Sequence, residues 1–316
     1  MAVVGFHYGV RGLRGGFVGV DIFFVISGYL ITDLLTAEIH ATGSISLARF
    51  YARRGRRLLP AALLVTLVTL AAGLYVLSPL EQPQVIKAAA ASSLYLSNFL
   101  FLHGNLGYFS PESAFNPFLH TWSLSVEEQF YIFWPTFILL ISRTKRFPRL
   151  PIVAIAVASL CSLALCIWLT HVTQPWAFYG SPARIWEFGV GGLASIRQVT
   201  NWARDHRAVP AMGWIGACVL VCSCFVAYNP SNFPGPSALL AALSTVVVLI
   251  SGTASRRHGP IVLLGREPFQ TIGKLSYSIY LWHWPVIVYA TVMRPTLSAT
   301  GRLYCALLAG SSSPRF

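Results

Sequence analysis

Charged side chains are scarce in this 316-residue chain: 10% are Asp, Glu, Lys or Arg, 55% are hydrophobic, and mean hydropathy is +0.62. A soluble domain of this size carries about 25% charge. Ten acidic residues (Asp21, Asp33, Glu38, Glu81, Glu112, Glu127, Glu128, Glu187, Asp205 and Glu267) are too few to solvate a surface, which excludes a water-soluble globule. The six cysteines (Cys161, Cys166, Cys218, Cys222, Cys224 and Cys305) lie in apolar segments without histidine at zinc-finger spacing. They read as small buried hydrophobes, and no metal site follows from them. The start, Met1 to His7, lacks the basic region, apolar stretch and cleavage site of a signal peptide. There is no internal repeat and no second domain, so residues 1–316 read as one unit.

What is abundant is apolar length and positive charge. Apolar stretches run over about 18–35, 58–78, 87–102, 118–141, 150–170, 183–196, 211–228, 238–254 and 275–293, several approaching the roughly 20 residues that cross a bilayer. Residues 1–8 resemble the tail of a further helix and 303–310 the beginning of one. The expected fold is an all-α, polytopic transmembrane bundle of eight to nine spans.

The net charge of +13 would suggest nucleic acid in a soluble protein. Here the bases sit between apolar segments, without a soluble face or module to read nucleic acid. Four basic stretches, 49–57, 143–149, 197–207 and 256–274, hold sixteen of the 23 bases. All four face the cytoplasm only if an even number of crossings separates them. Segment 87–102, short and carrying Ser92, Ser93, Ser97 and Asn98, is therefore expected to be re-entrant or interfacial. The alternative is that it crosses and one basic loop breaks the rule. The stretches 9–17, 79–117, 171–182, 229–237 and 294–301 then fall outside.

Ionisable side chains at membrane depth are costly and mark polar cavities or structural pairs. Asp21, Gly28 and Thr32 form a small, polar strip that admits a helix or a ligand. His120, Ser123 and Glu127 share a helix face, and Thr121, Ser125 and Glu128 share its neighbour. Two adjacent carboxylates about 10 Å below the helix start either line a hydrated cavity or join an internal polar network. Arg184 lies three residues before Glu187, the spacing of a local ion pair. His283, between two tryptophans, reads as an interface anchor. His7, on its own residues, reads as an interfacial histidine. Arg53, Arg54, Arg56 and Arg57 either hold phosphate groups or are topogenic charge alone.

Four segments carry a resemblance: Gly15 to Thr32, Phe50 to Pro60, Phe118 to Pro135, and Leu275 to Pro285, the last containing Leu-Trp-His-Trp-Pro. Together and in order they resemble the membrane-bound acyltransferase family 3, most of all members that O-acetylate surface polysaccharides and often carry an extracytoplasmic SGNH-type domain. The resemblance implies transfer of acetyl from acetyl-CoA, a co-substrate rather than a resident cofactor, to a hydroxyl of an extracytoplasmic glycan such as O-antigen or peptidoglycan. The expected location is the bacterial inner membrane. It also implies that His7 is the catalytic histidine, that Glu127 and Glu128 belong to the catalytic helix, and that Arg53, Arg54, Arg56 and Arg57 lie near the donor's phosphates. The family's basic residue eleven positions before the histidine would precede Met1. The first helix, the last helix and any SGNH domain are thus expected to extend beyond this chain.

Imidazole, with a pKa near neutrality, suits deprotonation of an attacking hydroxyl. His7 is accordingly the expected base, a carboxylate of Glu127 or Glu128 its orienting partner, and Asp21, His120, Ser123 and Tyr29 the sugar-holding groups. A covalent acyl relay is the other route, for which no nucleophile stands out. A proton-coupled transporter or flippase competes as a class, although the inverted repeats common in transporters are absent. A truncated, inactive relative is the third reading.

Overall fold

The computed structural model describes residues 1–104, 108, 115–143, 149–255 and 257–293. The basic positions Lys145, Arg146 and Arg256, and the expected helix start at 303–310, lie outside the described residues. Those described form helices and turns with no strand. In chain order the helices are α1 (Ala2–His7), α2 (Gly19–Thr42), α3 (Leu47–Val76), α4 (Gln82–Ser93), α5 (Ser97–His103), α6 (Thr121–Ser142) and α7 (Leu150–Val172). There follow α8 (Gln174–Tyr179), α9 (Ser181–Ser195), α10 (Arg197–Asp205), α11 (Val209–Ser223), α12 (Ala238–Ala254), α13 (Ile261–Leu264) and α14 (Glu267–Met293).

Each of the nine apolar segments is helical. Among the described residues five helices, α2, α3, α6, α7 and α12, are long and apolar enough to cross a membrane, α2 and α12 together with the short turns before them. The 15-residue α9 and α11 extend about 22 Å each, short of a hydrocarbon core of about 30 Å. The exterior is apolar: Leu63, Leu67, Leu74, Phe133 and Leu160 are more than half exposed, while Asp21, His120, Glu127, Arg184, Glu187 and His283 are buried. Oil-facing outside and polar inside is the pattern of a membrane protein.

Helix α9 packs closely against both α2 and α7. Their approach depends on glycine: a Cβ on Gly28 would lie 1.9 Å from the Phe188 carbonyl oxygen, and one on Gly191 2.0 Å from that of Val25. The small strip read on α2 is therefore filled by α9, as small residues allow in a bilayer where packing drives helix association. Nearby, the Trp134 indole N–H donates to Thr32 Oγ1 at 2.9 Å.

Segment 87–102 is not one helix. It breaks between α4 and α5 at Tyr95, which has φ of 54°, and the two pieces extend only about 18 and 10 Å. Its polar residues hold it to α6 and α8: Ser92 to Thr121 at 2.6 Å, Ser97 to Ser125 at 2.8 Å, and Asn98 Nδ2 to the Tyr179 carbonyl at 3.0 Å. The Gln129 amide donates to the Tyr95 carbonyl at 2.7 Å, capping the break.

Two of the basic loops prove to be helical. Arg49 to Arg57 lie within α3, and Arg197 and Arg204 within α10. A charge run signals sidedness, but it does not stop a helix: Arg and Ala are good helix formers, and long basic side chains reach water from a helix end.

Candidate active site

Two helix ends and one helix interior bring three histidines together. His7 ends α1, His120 precedes the first residue of α6, and His283 lies in the middle of α14. His7 Nδ1 is 2.9 Å from His283 Nε2, with the two rings 5° from parallel. His7 Nε2 is 2.6 Å from the Tyr108 hydroxyl. His120 stands edge-on to His283, ring centroids 5.4 Å apart. The Trp284 ring packs on His7 at 4.5 Å, and its N–H donates to the Asn116 carbonyl.

The partners fix the protons. His283 Nδ1 is 2.5 Å from the Tyr280 carbonyl oxygen, which can only accept, so Nδ1 carries hydrogen. In a neutral ring His283 Nε2 is then a lone pair, and His7 Nδ1–H donates to it. His7 Nε2 is left as the basic nitrogen, turned toward Tyr108. The arrangement orients one imidazole by a second, where the sequence suggested a carboxylate.

Glu127 and Glu128 go elsewhere. The Ser27 hydroxyl donates to Glu127 at 2.8 Å, and the Tyr131 hydroxyl makes a short bond to the same oxygen. The Arg54 guanidinium is 3.9 Å from Glu127 and 3.4 Å from Glu128, and lies over the Tyr131 ring at 3.3 Å. Among the described residues no bond joins either carboxylate to His7. The internal polar network, one of the two readings left open for this pair, is what the structure places here. Ser123 belongs to the histidine end of α6: its hydroxyl is 2.6 Å from that of Tyr280, which also donates to the His120 carbonyl at 2.9 Å.

Asp21 likewise does not reach the histidines. Its Oδ1 accepts from Arg184 at 2.9 Å, and Arg184 contacts Glu187 at 2.9 Å, all three side chains at most 1% exposed. The local pair anticipated from the spacing is present, with Asp21 as its third member. A crevice with no room for a water lies between this triad and Tyr108. Tyr29 is eight residues further along α2, half-buried, with Asp33 and Arg204 as electrostatic neighbours.

The arginine run divides by function. Arg54 is committed to the two glutamates, and Arg53 contacts Glu38 at 3.6 Å. Arg56 and Arg57 are exposed and make no ion pair among the described residues. Of the four, they are the two without a carboxylate contact within 4 Å among the described residues.

Sequence reasoning missed His283, Tyr280 and Tyr108. One signal was available for His283: Pro285 has no N–H, which releases the Leu281 carbonyl from the helix ladder. Pro285 lies inside α14 two residues after His283, so a polar backbone group was to be expected beside that histidine. His120 faces that Leu281 backbone, although neither of its ring nitrogens makes a hydrogen bond of ordinary geometry among the described residues.

An acyltransferase domain family matches residues 1–310. The chain is 32% identical to peptidoglycan O-acetyltransferase OatA of Listeria monocytogenes, over 95% of this chain and 49% of that protein. It is 34% identical to O-acetyltransferase OatA of Staphylococcus aureus, over 91% of this chain and 49% of that one. The chain thus spans about half the length of the curated relatives it matches. No solved structure matches it.

Proposed function

The chain belongs to the acyltransferase domain family, and from that premise we propose that it moves an acetyl group from a cytoplasmic thioester, acetyl-CoA, to a hydroxyl of an extracytoplasmic cell-wall polysaccharide. The two relatives' names, one of them a peptidoglycan O-acetyltransferase, favour a peptidoglycan acceptor. The plasma membrane is the compartment that puts such a donor and such an acceptor on opposite faces of one bundle.

The observation that carries the reading is the run of hydrogen bonds from the Tyr280 carbonyl through His283 to His7. It presents His7 Nε2 as an oriented base in a largely buried site. The acceptor hydroxyl enters where the Tyr108 hydroxyl now touches Nε2. Its oxygen attacks the thioester carbonyl as its proton passes to His7. The tetrahedral intermediate collapses, the C–S bond breaks, and the thiolate recovers the proton. Ser123 and His120 line the acceptor side, and Arg56 and Arg57 receive the donor's phosphates at the other.

The 2.6 Å contact also favours a second route, in which His7 activates Tyr108 as the nucleophile and the acetyl group pauses there as a phenyl ester. Tyr108→Phe separates the two: it abolishes transfer in the relay and lowers it by less than about tenfold in direct attack, where the neutral hydrogen bond to His7 Nε2 is lost.

The test of the function is a product assay. Membranes containing the chain, supplied with labelled acetyl-CoA and peptidoglycan fragments, are expected to yield base-labile acetyl esters on the glycan. Glycan that crosses the membrane unlabelled would instead identify a transporter and end this reading.

A further inference from the structure

A second polar feature lies away from the histidines, where α10, α11 and the turn after α12 meet. A cavity of about 710 Å³ is bounded by Arg204, His206, Arg207, Arg257, His258 and Trp214. Its volume falls within the roughly 300–1,000 Å³ typical of small-molecule sites. Three arginines, Arg204, Arg207 and Arg257, line it, and none of them pairs with a carboxylate among the described residues. Charge that served only to set topology would not need to converge on a cavity.

The walls are fixed by other bonds. Ser255 Oγ accepts from the Arg257 backbone N–H and contacts His258 Nδ1, both at 3.2 Å. Arg204 Nε reaches the Thr253 carbonyl at 3.4 Å. Gly259 adopts φ of 85°, and a Cβ there would lie 2.7 Å from the Pro210 carbonyl oxygen. The turn is pressed against the start of α11, so that Arg257 lines the same cavity as Arg204 and Arg207.

The basic cluster adjoins an oily wall. Ala211, Trp214 and Val262 are apolar members of the lining, and the neighbouring Met212 and Ile215 on α11 are 48% and 66% exposed. A fully soluble anion would gain nothing from such a wall, whereas an amphiphile would use both parts. We infer that this cavity binds the phosphate-ester headgroup of an acidic membrane phospholipid, its phosphate among Arg204, Arg207 and Arg257 and its acyl chains along α11. Guanidinium forks match phosphate oxygens, and basic pockets between membrane helices on the cytoplasmic side suit such headgroups.

The test uses the whole chain purified in neutral detergent, with bound lipid counted by native mass spectrometry. Phosphatidylglycerol is expected to remain bound where phosphatidylcholine does not. R204Q/R207Q/R257Q is expected to weaken phosphatidylglycerol binding about a hundredfold, and R257Q alone about fivefold, at roughly one such factor per arginine. All three side chains are exposed, and the single variant gives a reading even if the triple variant misfolds. R266Q/K274Q, which removes exposed bases of α14 and the turn before it, is expected to leave binding within about threefold. Equal loss in both multiple variants would mean diffuse attraction and overturn the proposal. So would equal retention of phosphatidylcholine. ADP is the soluble phosphate ester in the comparison, and its displacing phosphatidylglycerol at equal concentration would reassign the cavity to a free phosphate compound.

Discussion

Replacing His283 probes the orientation of the proposed base. His283→Ala removes the acceptor 2.9 Å from His7 Nδ1 and leaves a buried N–H without a partner. Such a group costs about 1–3 kcal/mol, and the ring recovers it by rotating or by moving its proton to Nε2, either of which removes the lone pair from the reacting side. The corresponding fall in kcat is about 5- to 150-fold at 25 °C. KM for the glycan should hardly change, since His283 lies behind His7 as seen from the acceptor. His283→Gln supplies the control, because its amide oxygen can stand near the former Nε2 and accept the same hydrogen. It should restore kcat to within about tenfold of the parent, the loss of one neutral hydrogen bond at most. The assay is acetyl transfer in proteoliposomes, with kcat and KM measured separately. The reasoning fails if His283→Ala leaves kcat unchanged, or if His283→Gln is no better than Ala while both raise KM.

Gly28→Ala should abolish folding, because the new methyl would meet the Phe188 carbonyl at 1.9 Å, whereas Gly273→Ala on α14, with nothing within 4 Å, should fold normally; folded yield by size exclusion compares them. Arg184→Gln strands Asp21 and Glu187 as buried carboxylates, a loss of about 3–5 kcal/mol seen as a lower Tm in detergent. D21N/R184Q/E187Q should recover most of it, since the triad is then neutral and hydrogen-bonded. R56Q/R57Q should raise KM for acetyl-CoA at least about tenfold with kcat nearly constant, as loss of charge-assisted bonds to a bound donor does; an unchanged KM would leave the pair as topogenic charge.

Hydropathy located the helices well because a bilayer enforces it: backbone at membrane depth must be hydrogen-bonded within its own segment. The polar content of 87–102 set it apart from the spans for the same reason, although the break at Tyr95 was not legible, and Ser92, Ser97 and Asn98 do bond neighbouring helices. The basic run in α3 was legible as charge but not as helix, since topogenic sidedness and helix continuation are independent. The site was legible in part. The His7 likeness named a residue that the structure sets in a buried network, but its partners come from 101 and 276 positions away. No periodicity reports such a contact. Glu127 and Glu128 stood out because adjacent acids in oil need explaining, and their partner, Arg54, lay inside a run whose other members face outward. The partner of Asp21 was illegible for the converse reason: a lone acid at a span's edge carries no sign of Arg184, 163 positions away.

The most direct test of the account is acetyl transfer by His7→Ala, with the protein reconstituted at matched amount and its helix content confirmed by circular dichroism. The account predicts intact membrane insertion and no acetylated glycan above background. Turnover at the parent rate in that variant would contradict it, because no other described group presents an oriented basic nitrogen at the place where Tyr108 touches His7.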